Sequence, residues 1–258
     1  MQYESYGDIG SPALVFLHGF LGDGSQFEFL VNTFSQDFHL IFIDLPGCGA
    51  GVEDLSDDFS FESICSDLSV FLQDLDLKQP KLIGYSLGAR LGLYVHLTLS
   101  YQFDALFLES LNPGLLDTTQ KVKRAEKDQK LSDKILYNGY DEFLVGWYSS
   151  KLFSDLSKEE LFASALKFNS NNQALILKNL SPGLMPNMWQ ELGSIDVPVC
   201  LLTGDLDSKF TEYSKKVLNL IPNSRHEIVL GAGHNLHLSN PIEYTKILRE
   251  FLTHISFT

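Results

Sequence analysis

The segment Lys81–Leu99, KLIGYSLGARLGLYVHLTL, passes from a short strand-like run to helically spaced leucines with a single serine between them. Gly84-Tyr85-Ser86-Leu87-Gly88 has the form G-x-S-x-G, and it sits in the context that gives the form meaning, strand before and helix after. A turn this tight would drive a side chain at either glycine into its surroundings, so both positions call for glycine. The serine hydroxyl is held out at the top of the strand. The helix starting at Leu87 points its unpaired N–H groups to the same place, where they stabilise developing negative charge.

The remaining apolar runs supply neighbours for that strand. Ala13–Leu17 reads as a buried strand ending at His18-Gly19, and Leu40–Ile43 as another, stopped by Asp44-Leu45-Pro46-Gly47. Phe61–Leu75 has Ile64, Leu68, Phe71, Leu72 and Leu75 on one helical face. Ala105–Leu108, Val197–Leu202 and Glu227–Leu230 complete six expected strands, and a helix from Pro241 to His254 closes the chain. Buried strands alternating with helices predict an α/β protein with a mostly parallel sheet covered on both faces. The rhythm breaks between Leu115 and Trp189, where the patterning is helical and no strand is expected. The chain therefore divides into a core, residues 1–114 and 190–258, and a helical lid, residues 115–189. Such a lid would lie over the C-terminal edge of the sheet, where open α/β sheets bind ligands.

Charge and cysteine usage exclude several classes. The 258 residues carry a net charge of −14, whereas nucleic acid or an anionic membrane demands a basic footprint. Cys48, Cys65 and Cys200 are an odd, scattered set without a CxxC pair, which fits a reducing compartment. MQYESYGDIG has neither a basic nor an apolar signal-peptide region, and no apolar run approaches the roughly 20 residues of a bilayer span. A cytoplasmic protein without membrane insertion is expected. Its oligomeric state is not legible.

Two partners should follow a G-x-S-x-G serine, an acid and then a histidine, each just after a strand. Val197–Leu202 is followed by Thr203-Gly204-Asp205-Leu206-Asp207, and Glu227–Leu230 by Gly231-Ala232-Gly233-His234. Asp207 has the usual offset for the acid, which leaves Asp205 as a loop carboxylate. The acid fixes the imidazole tautomer and stabilises its charged form. His18-Gly19-Phe20 after the first strand offers the N–H of Phe20 to join that of Leu87 in an oxyanion hole. His18 itself reads as a structural hydrogen-bonder. His237 lies three residues from His234, but no third ligand of matching placement accompanies them, so neither a metal nor any other cofactor is expected. Ser86, Asp207 and His234 with this hole imply the α/β-hydrolase fold. That fold hosts esterases, lyases, dehalogenases and inactive binders alike.

Several segments carry more than the fold demands: His18–Gly24, Gly84–Arg90, Ser110-Leu111-Asn112-Pro113-Gly114-Leu115, Gly204–Phe210 and Gly233-His234-Asn235. Together they resemble the 2-succinyl-6-hydroxy-2,4-cyclohexadiene-1-carboxylate synthases of menaquinone and phylloquinone biosynthesis. The likeness runs nearly end to end, through Trp147 and Met185-Pro186-Asn187-Met188-Trp189. Arg90 four residues past the serine and Asp207-Ser208-Lys209-Phe210 are its most specific parts. The resemblance implies a lyase that eliminates pyruvate, with the triad as general base, and a small tricarboxylate substrate. It also implies substrate contacts from Tyr85, Arg90, Arg124, Trp147 and Lys209. The charges agree, since six of the 19 Lys and Arg fall in Lys121–Lys134, within the expected lid. Lys167 stands where many members have an arginine, keeping the charge but losing the bidentate fork. Ser239-Asn240-Pro241 replaces an acidic residue of the family. Two other readings stay open: a carboxylesterase or C–C bond hydrolase using Ser86 as a covalent nucleophile, and a non-catalytic receptor of the same fold.

Overall fold

In the computed structural model, which describes residues 1–49 and 54–255, the alternation of apolar runs and amphipathic segments becomes a three-layer sandwich. The strands are β1 (Gln2–Tyr6), β2 (Ala13–Leu17), β3 (His39–Asp44), β4 (Lys81–Tyr85), β5 (Ala105–Glu109), β6 (Val199–Gly204) and β7 (Ser224–Val229). They form one sheet in the order β1-β3-β2-β4-β5-β6-β7. All pairings are parallel except that of β1 with β3. The helices are α1 (Val31–Phe34), α2 (Phe61–Asp74), α3 (Leu87–Thr98), α4 (Thr118–Tyr137), α5 (Tyr140–Tyr148), α6 (Lys158–Ala165), α7 (Ser170–Asn179), α8 (Ser208–Leu218), α9 (Leu236–Ser239) and α10 (Pro241–Ile255).

Because successive strand residues point to opposite faces, each central strand feeds two cores. Val15, Leu17, Ile41, Leu82, Leu106 and Leu201 meet α2, α3 and α8 through Leu68, Leu72, Leu91, Val95 and Val217. Leu14, Phe16, Phe42, Ile83, Phe107 and Leu202 meet the other layer through Phe27, Phe34, Tyr244, Leu248 and Phe251. Burying a side chain of this size contributes about 1.5–3 kcal/mol relative to leaving it exposed. The continuous apolar runs of β2 to β6 thus commit those strands to the middle of the sheet.

The strands that depart from the sequence expectation are the edges. β1 is a seventh strand that the apolar runs do not reveal, because Gln2–Ser5 are exposed and the segment has no hydrophobic run to show. β7 spans Ser224–Val229 rather than 227–230: it pairs on one side only, so half-buried Ser224, Arg225 and His226 suffice, while Leu230 lies beyond it and is exposed. β6 starts at Val199, after Pro198, which has no N–H to donate.

Helices α4 to α7 follow β5 and precede β6, and no strand interrupts them among the described residues. They share a third core of Ile135, Phe143, Leu144, Tyr148, Phe153, Leu161, Ala165 and Phe168, closed by Leu21 from the loop after β2. Asn169, the start of the asparagine run, accepts from the N–H groups of Asn171 and Asn172 as the cap of α7. No helix among the described residues is long and apolar enough to cross a membrane.

All three cysteines are free and buried. Burial pushes the thiols of Cys48 and Cys200 up to about 12 and raises that of Cys65 as well. Since the thiolate is the reactive form, the native protein should titrate no thiol with an aromatic disulfide reagent at pH 8. The denatured chain should titrate three. A rapidly reacting thiol in the native state would contradict this packing.

Candidate active site

The site grows from the turn between β4 and α3. Ser86 sits at φ 47°, in the left-handed region that L-residues avoid. A Cβ on Gly84 would lie 2.7 Å from Ala89 Cα, and one on Gly88 only 2.1 Å from the Leu17 carbonyl oxygen. The turn is pinned by Ser86 N–H donating to Glu109 O at 2.9 Å and Gly88 N–H to His18 O at 3.0 Å.

The two partners approach from the ends of β6 and β7. Asp207 is buried at the start of α8, where its Oδ1 accepts from Phe210 N–H at 3.4 Å and its Oδ2 from His234 Nδ1 at 2.6 Å. His234 Nε2 lies 3.2 Å from Ser86 Oγ. With Nδ1 donating to the carboxylate, Nε2 is the acceptor facing the hydroxyl, the tautomer that proton abstraction needs. The imidazole is packed by the Phe210 ring at 4.4 Å, Tyr85 at 5.6 Å and Phe153 at 6.4 Å between centroids. Asp205 accepts from Gly231 N–H at 2.7 Å, tying the acid loop to the histidine loop.

Ser86 and His234 open into a cavity of about 670 Å³ between the sheet edge and helices α4, α5 and α7. Phe20 and Leu87 line it beside them, as do Arg90, Arg124, Trp147 and Lys209. Arg90 is buried, and its Nη1 donates to Leu180 O at 3.0 Å and lies 3.2 Å from Met185 Sδ. Among the described residues no carboxylate pairs with it directly. Burial, reinforced by the nearby Arg124 charge, pulls its pKa down to about 9. Arg124 is held by buried Asp128, Nε to Oδ2 at 2.7 Å, and Ser181 Oγ donates to the same oxygen at 2.6 Å. Lys209 has its pKa lowered by partial desolvation and then by Arg124, and its ammonium lies 5.4 Å from the Phe210 ring centroid. Trp147 packs edge-on against Phe20 at 5.3 Å.

Other sequence-predicted positions lie elsewhere. Tyr85 does not line the cavity. As the last residue of β4 it takes the sheet face covered by α10, and its buried ring fills the space a side chain on Gly19 would need. Lys167 is not at the cavity either: its ammonium pairs with Asp23 at 2.5 Å. Burial alone would raise the Asp23 carboxyl, but hydrogen bonds from Lys167 and Ser25 hold it below its ordinary value. His18 uses both ring nitrogens, Nδ1 donating to Gly19 O at 2.7 Å and Nε2 accepting from Leu45 N–H at 3.0 Å, and burial lowers its pKa. His237 bonds to Glu109, and no group of three or more metal-ligating side chains forms among the described residues.

Sequence reasoning missed what holds the histidine loop. His234 N–H donates to Leu152 O at 3.0 Å, Gly233 N–H to Asp155 Oδ2 at 2.6 Å, and Ser110 Oγ to His234 O at 2.8 Å. Leu152 and Asp155 lie some 80 residues before that loop, by the numbering, and no local pattern marks them. Ser110 lay inside a segment already singled out, and Glu109, an acid closing an apolar strand, was a visible signal.

Comparison with known proteins identifies the family. Residues 12–241 match the model of the alpha/beta hydrolase fold family. A Bacillus subtilis protein provisionally named a 2-succinyl-6-hydroxy-2,4-cyclohexadiene-1-carboxylate synthase is 36% identical over 96% of this chain and 93% of its own length. The protein of that name from Yersinia enterocolitica is 31% identical over 95% of this chain and 88% of its own. The structure of MenH from S. aureus superposes with a TM-score of 0.92 at 30% identity, covering 98% of each chain. The chain belongs to the α/β hydrolase fold family and, within it, to the family of these synthases.

The glycine at position 88 gives a test of the turn. Gly88→Ala must push α3 away from the Leu17 carbonyl, and overpacking of this kind costs about 1–3 kcal/mol. A denaturant midpoint unchanged from that of the parent would show that the helix does not approach β2 so closely.

Proposed function

We propose that this member of the family eliminates pyruvate from 2-succinyl-5-enolpyruvyl-6-hydroxy-3-cyclohexene-1-carboxylate, giving 2-succinyl-6-hydroxy-2,4-cyclohexadiene-1-carboxylate for menaquinone or phylloquinone biosynthesis. The observation that carries the reading is the set of cations, Arg90, Arg124 and Lys209, lining one cavity with Ser86 and His234 in a chain of net charge −14. The substrate has three carboxylates, and Arg suits carboxylates because its planar fork binds both oxygens. We take residues 115–189 as the lid over this substrate, with Trp147 against its ring. Buried Tyr85 supports His234 from the side in this reading. Three free thiols suit a reducing cytoplasm, and nothing in the charge distribution calls for nucleic acid or a membrane.

In this mechanism His234 Nε2 takes the Ser86 hydroxyl proton, and Asp207 stabilises the imidazolium. The serine oxygen removes the acidic ring proton next to the succinyl ketone. An alkoxide is a strong base but scarce at neutral pH, so the carbon acid must be strengthened as well. The backbone N–H groups of Phe20 and Leu87 do this by holding the enolate oxygen. The electron pair moves through the ring alkene to form the diene and expels enolpyruvate, which takes up a proton and becomes pyruvate. No bond forms between Ser86 and the substrate.

Enzyme without added metal or cofactor should release pyruvate from this substrate and hydrolyse simple aryl esters poorly. Rapid ester turnover with a burst and no pyruvate would assign the chain to the carboxylesterase or C–C hydrolase class instead. Ser86→Ala, His234→Ala and Asp207→Asn should each lower kcat by several powers of ten, without additivity, because the three act as a unit.

The cation set gives a separate test. Losing a charge-assisted pair at a buried arginine costs on the order of 2–5 kcal/mol. Arg90→Ala should therefore lower kcat/KM by about 1.5 to 3.7 powers of ten, and Arg90→Lys should recover part of it. Equal values for parent and both folded variants would remove Arg90 from substrate binding.

A further inference from the structure

Glu109 closes the otherwise apolar strand β5 and is fully buried. Among the described residues no lysine or arginine pairs with it. It neither lines the cavity nor bonds to a triad side chain, so the mechanism above makes no use of it. Its carboxylate spans instead to the histidine loop. Oε1 accepts from Leu236 N–H at 2.5 Å and His237 N–H at 3.3 Å, and Oε2 accepts from His237 Nδ1 at 2.8 Å. The His237 ring is further fixed by stacking on Phe27 at 4.7 Å and by the edge of Tyr85 at 4.8 Å.

The backbone at this point reaches the other catalytic loop. Glu109 O accepts from Ser86 N–H at 2.9 Å, and the next residue, Ser110, donates its hydroxyl to His234 O at 2.8 Å. Two consecutive residues thus grip the serine turn and the histidine loop together. Burying a carboxylate is costly, and an apolar side chain could fill the same space without that cost. What the carboxylate adds is three directed bonds to the two residues that begin α9, just beyond His234.

We propose that Glu109 is a positioning residue for the elimination: by bonding the amides of Leu236 and His237 and the His237 ring, it fixes the height of His234 over Ser86. The Ser86–His234 contact, at 3.2 Å, is the longer of the two triad bonds, so a small loop displacement breaks it first. Misplacement of a catalytic group by about 1 Å costs on the order of 100-fold in rate. The proposal takes its reaction from the function proposed above, but the geometry it describes belongs to the triad whatever the substrate.

The test compares Glu109→Ala, Glu109→Gln and Glu109→Asp by steady-state pyruvate release and by the downfield proton NMR resonance of the His234–Asp207 hydrogen bond, assigned by its loss in Asp207→Asn. Folded Glu109→Ala should lose about 100-fold in kcat with KM within about twofold, and its resonance should broaden or vanish. Glu109→Gln retains an acceptor for the two amides and should restore at least tenfold of the loss together with the resonance. Parent-like kcat and resonance in folded Glu109→Ala would overturn the proposal. So would kcat and KM deteriorating in parallel with no rescue by glutamine, the mark of a merely structural role. If Glu109→Ala does not fold, Glu109→Asp decides, because it keeps both oxygens but withdraws them by one methylene: lowered kcat at constant KM is expected, and unchanged kcat overturns. Failure of the parent to release pyruvate would overturn the reaction assignment, while the resonance would still judge Glu109.

Discussion

The first turn of α3 lies against the end of β2, and the geometry of the site follows from that contact. Gly88 donates to His18 O, and its Cα is so close to the Leu17 carbonyl that no side chain fits between them. This closeness brings the helix N-terminus to the sheet edge and leaves Ser86 no conformation but one at positive φ. Such a backbone costs on the order of 1–3 kcal/mol and persists only where its surroundings over-determine it. Here the surroundings are the bond to Glu109 O and the two apolar layers that fix β2, β4 and β5 side by side.

Electrostatics sets the cavity apart from the rest of the surface. The chain as a whole repels anions, yet Arg90, Arg124 and Lys209 converge on one space. Arg90 and Lys209 are held below their ordinary pKa by desolvation and by the neighbouring Arg124 charge. An anion there would offset the mutual repulsion of these cations, whereas at solvated surface lysines a pair is worth at most about 1 kcal/mol. Buried Asp128 moderates this cluster and fixes the direction of Arg124. Lys167 is drawn away to Asp23, which makes it a tie between the insertion and the loop after β2 rather than a carboxylate clamp.

The helical insertion also reaches the histidine loop. Leu152 O and Asp155 hold the amides of His234 and Gly233, while Glu109 and Ser110 hold the same loop from the sheet side. The imidazole is thus fixed between two layers with separate cores, and any movement of the insertion on the sheet would be felt at His234 Nε2.

Local pattern alone was enough for the strands β2 to β5, for α2 and for the serine turn, because their burial is written as continuous apolar runs, helical spacing and paired glycines within a few residues. Asp207 and His234 each follow a strand whose end can be read, and the structure brings both into line with Ser86. The edge strands β1 and β7 were missed or misplaced because an edge needs little apolar surface. Tyr85 adjoins a cavity residue in sequence, yet its own ring packs into the sheet face covered by α10, a placement that no local pattern shows. Residue order alone supplies the groups: a serine between paired glycines, an acid, a histidine and a run of cations in Lys121–Lys134. Which of them meet is set by packing: among the described residues Arg90 pairs with no carboxylate while Lys167 pairs with Asp23, and Glu109 bonds to Leu236 and His237 beyond the histidine. Those contacts join residues about 90 to 150 positions apart, and their partners are chosen by packing that no local pattern encodes.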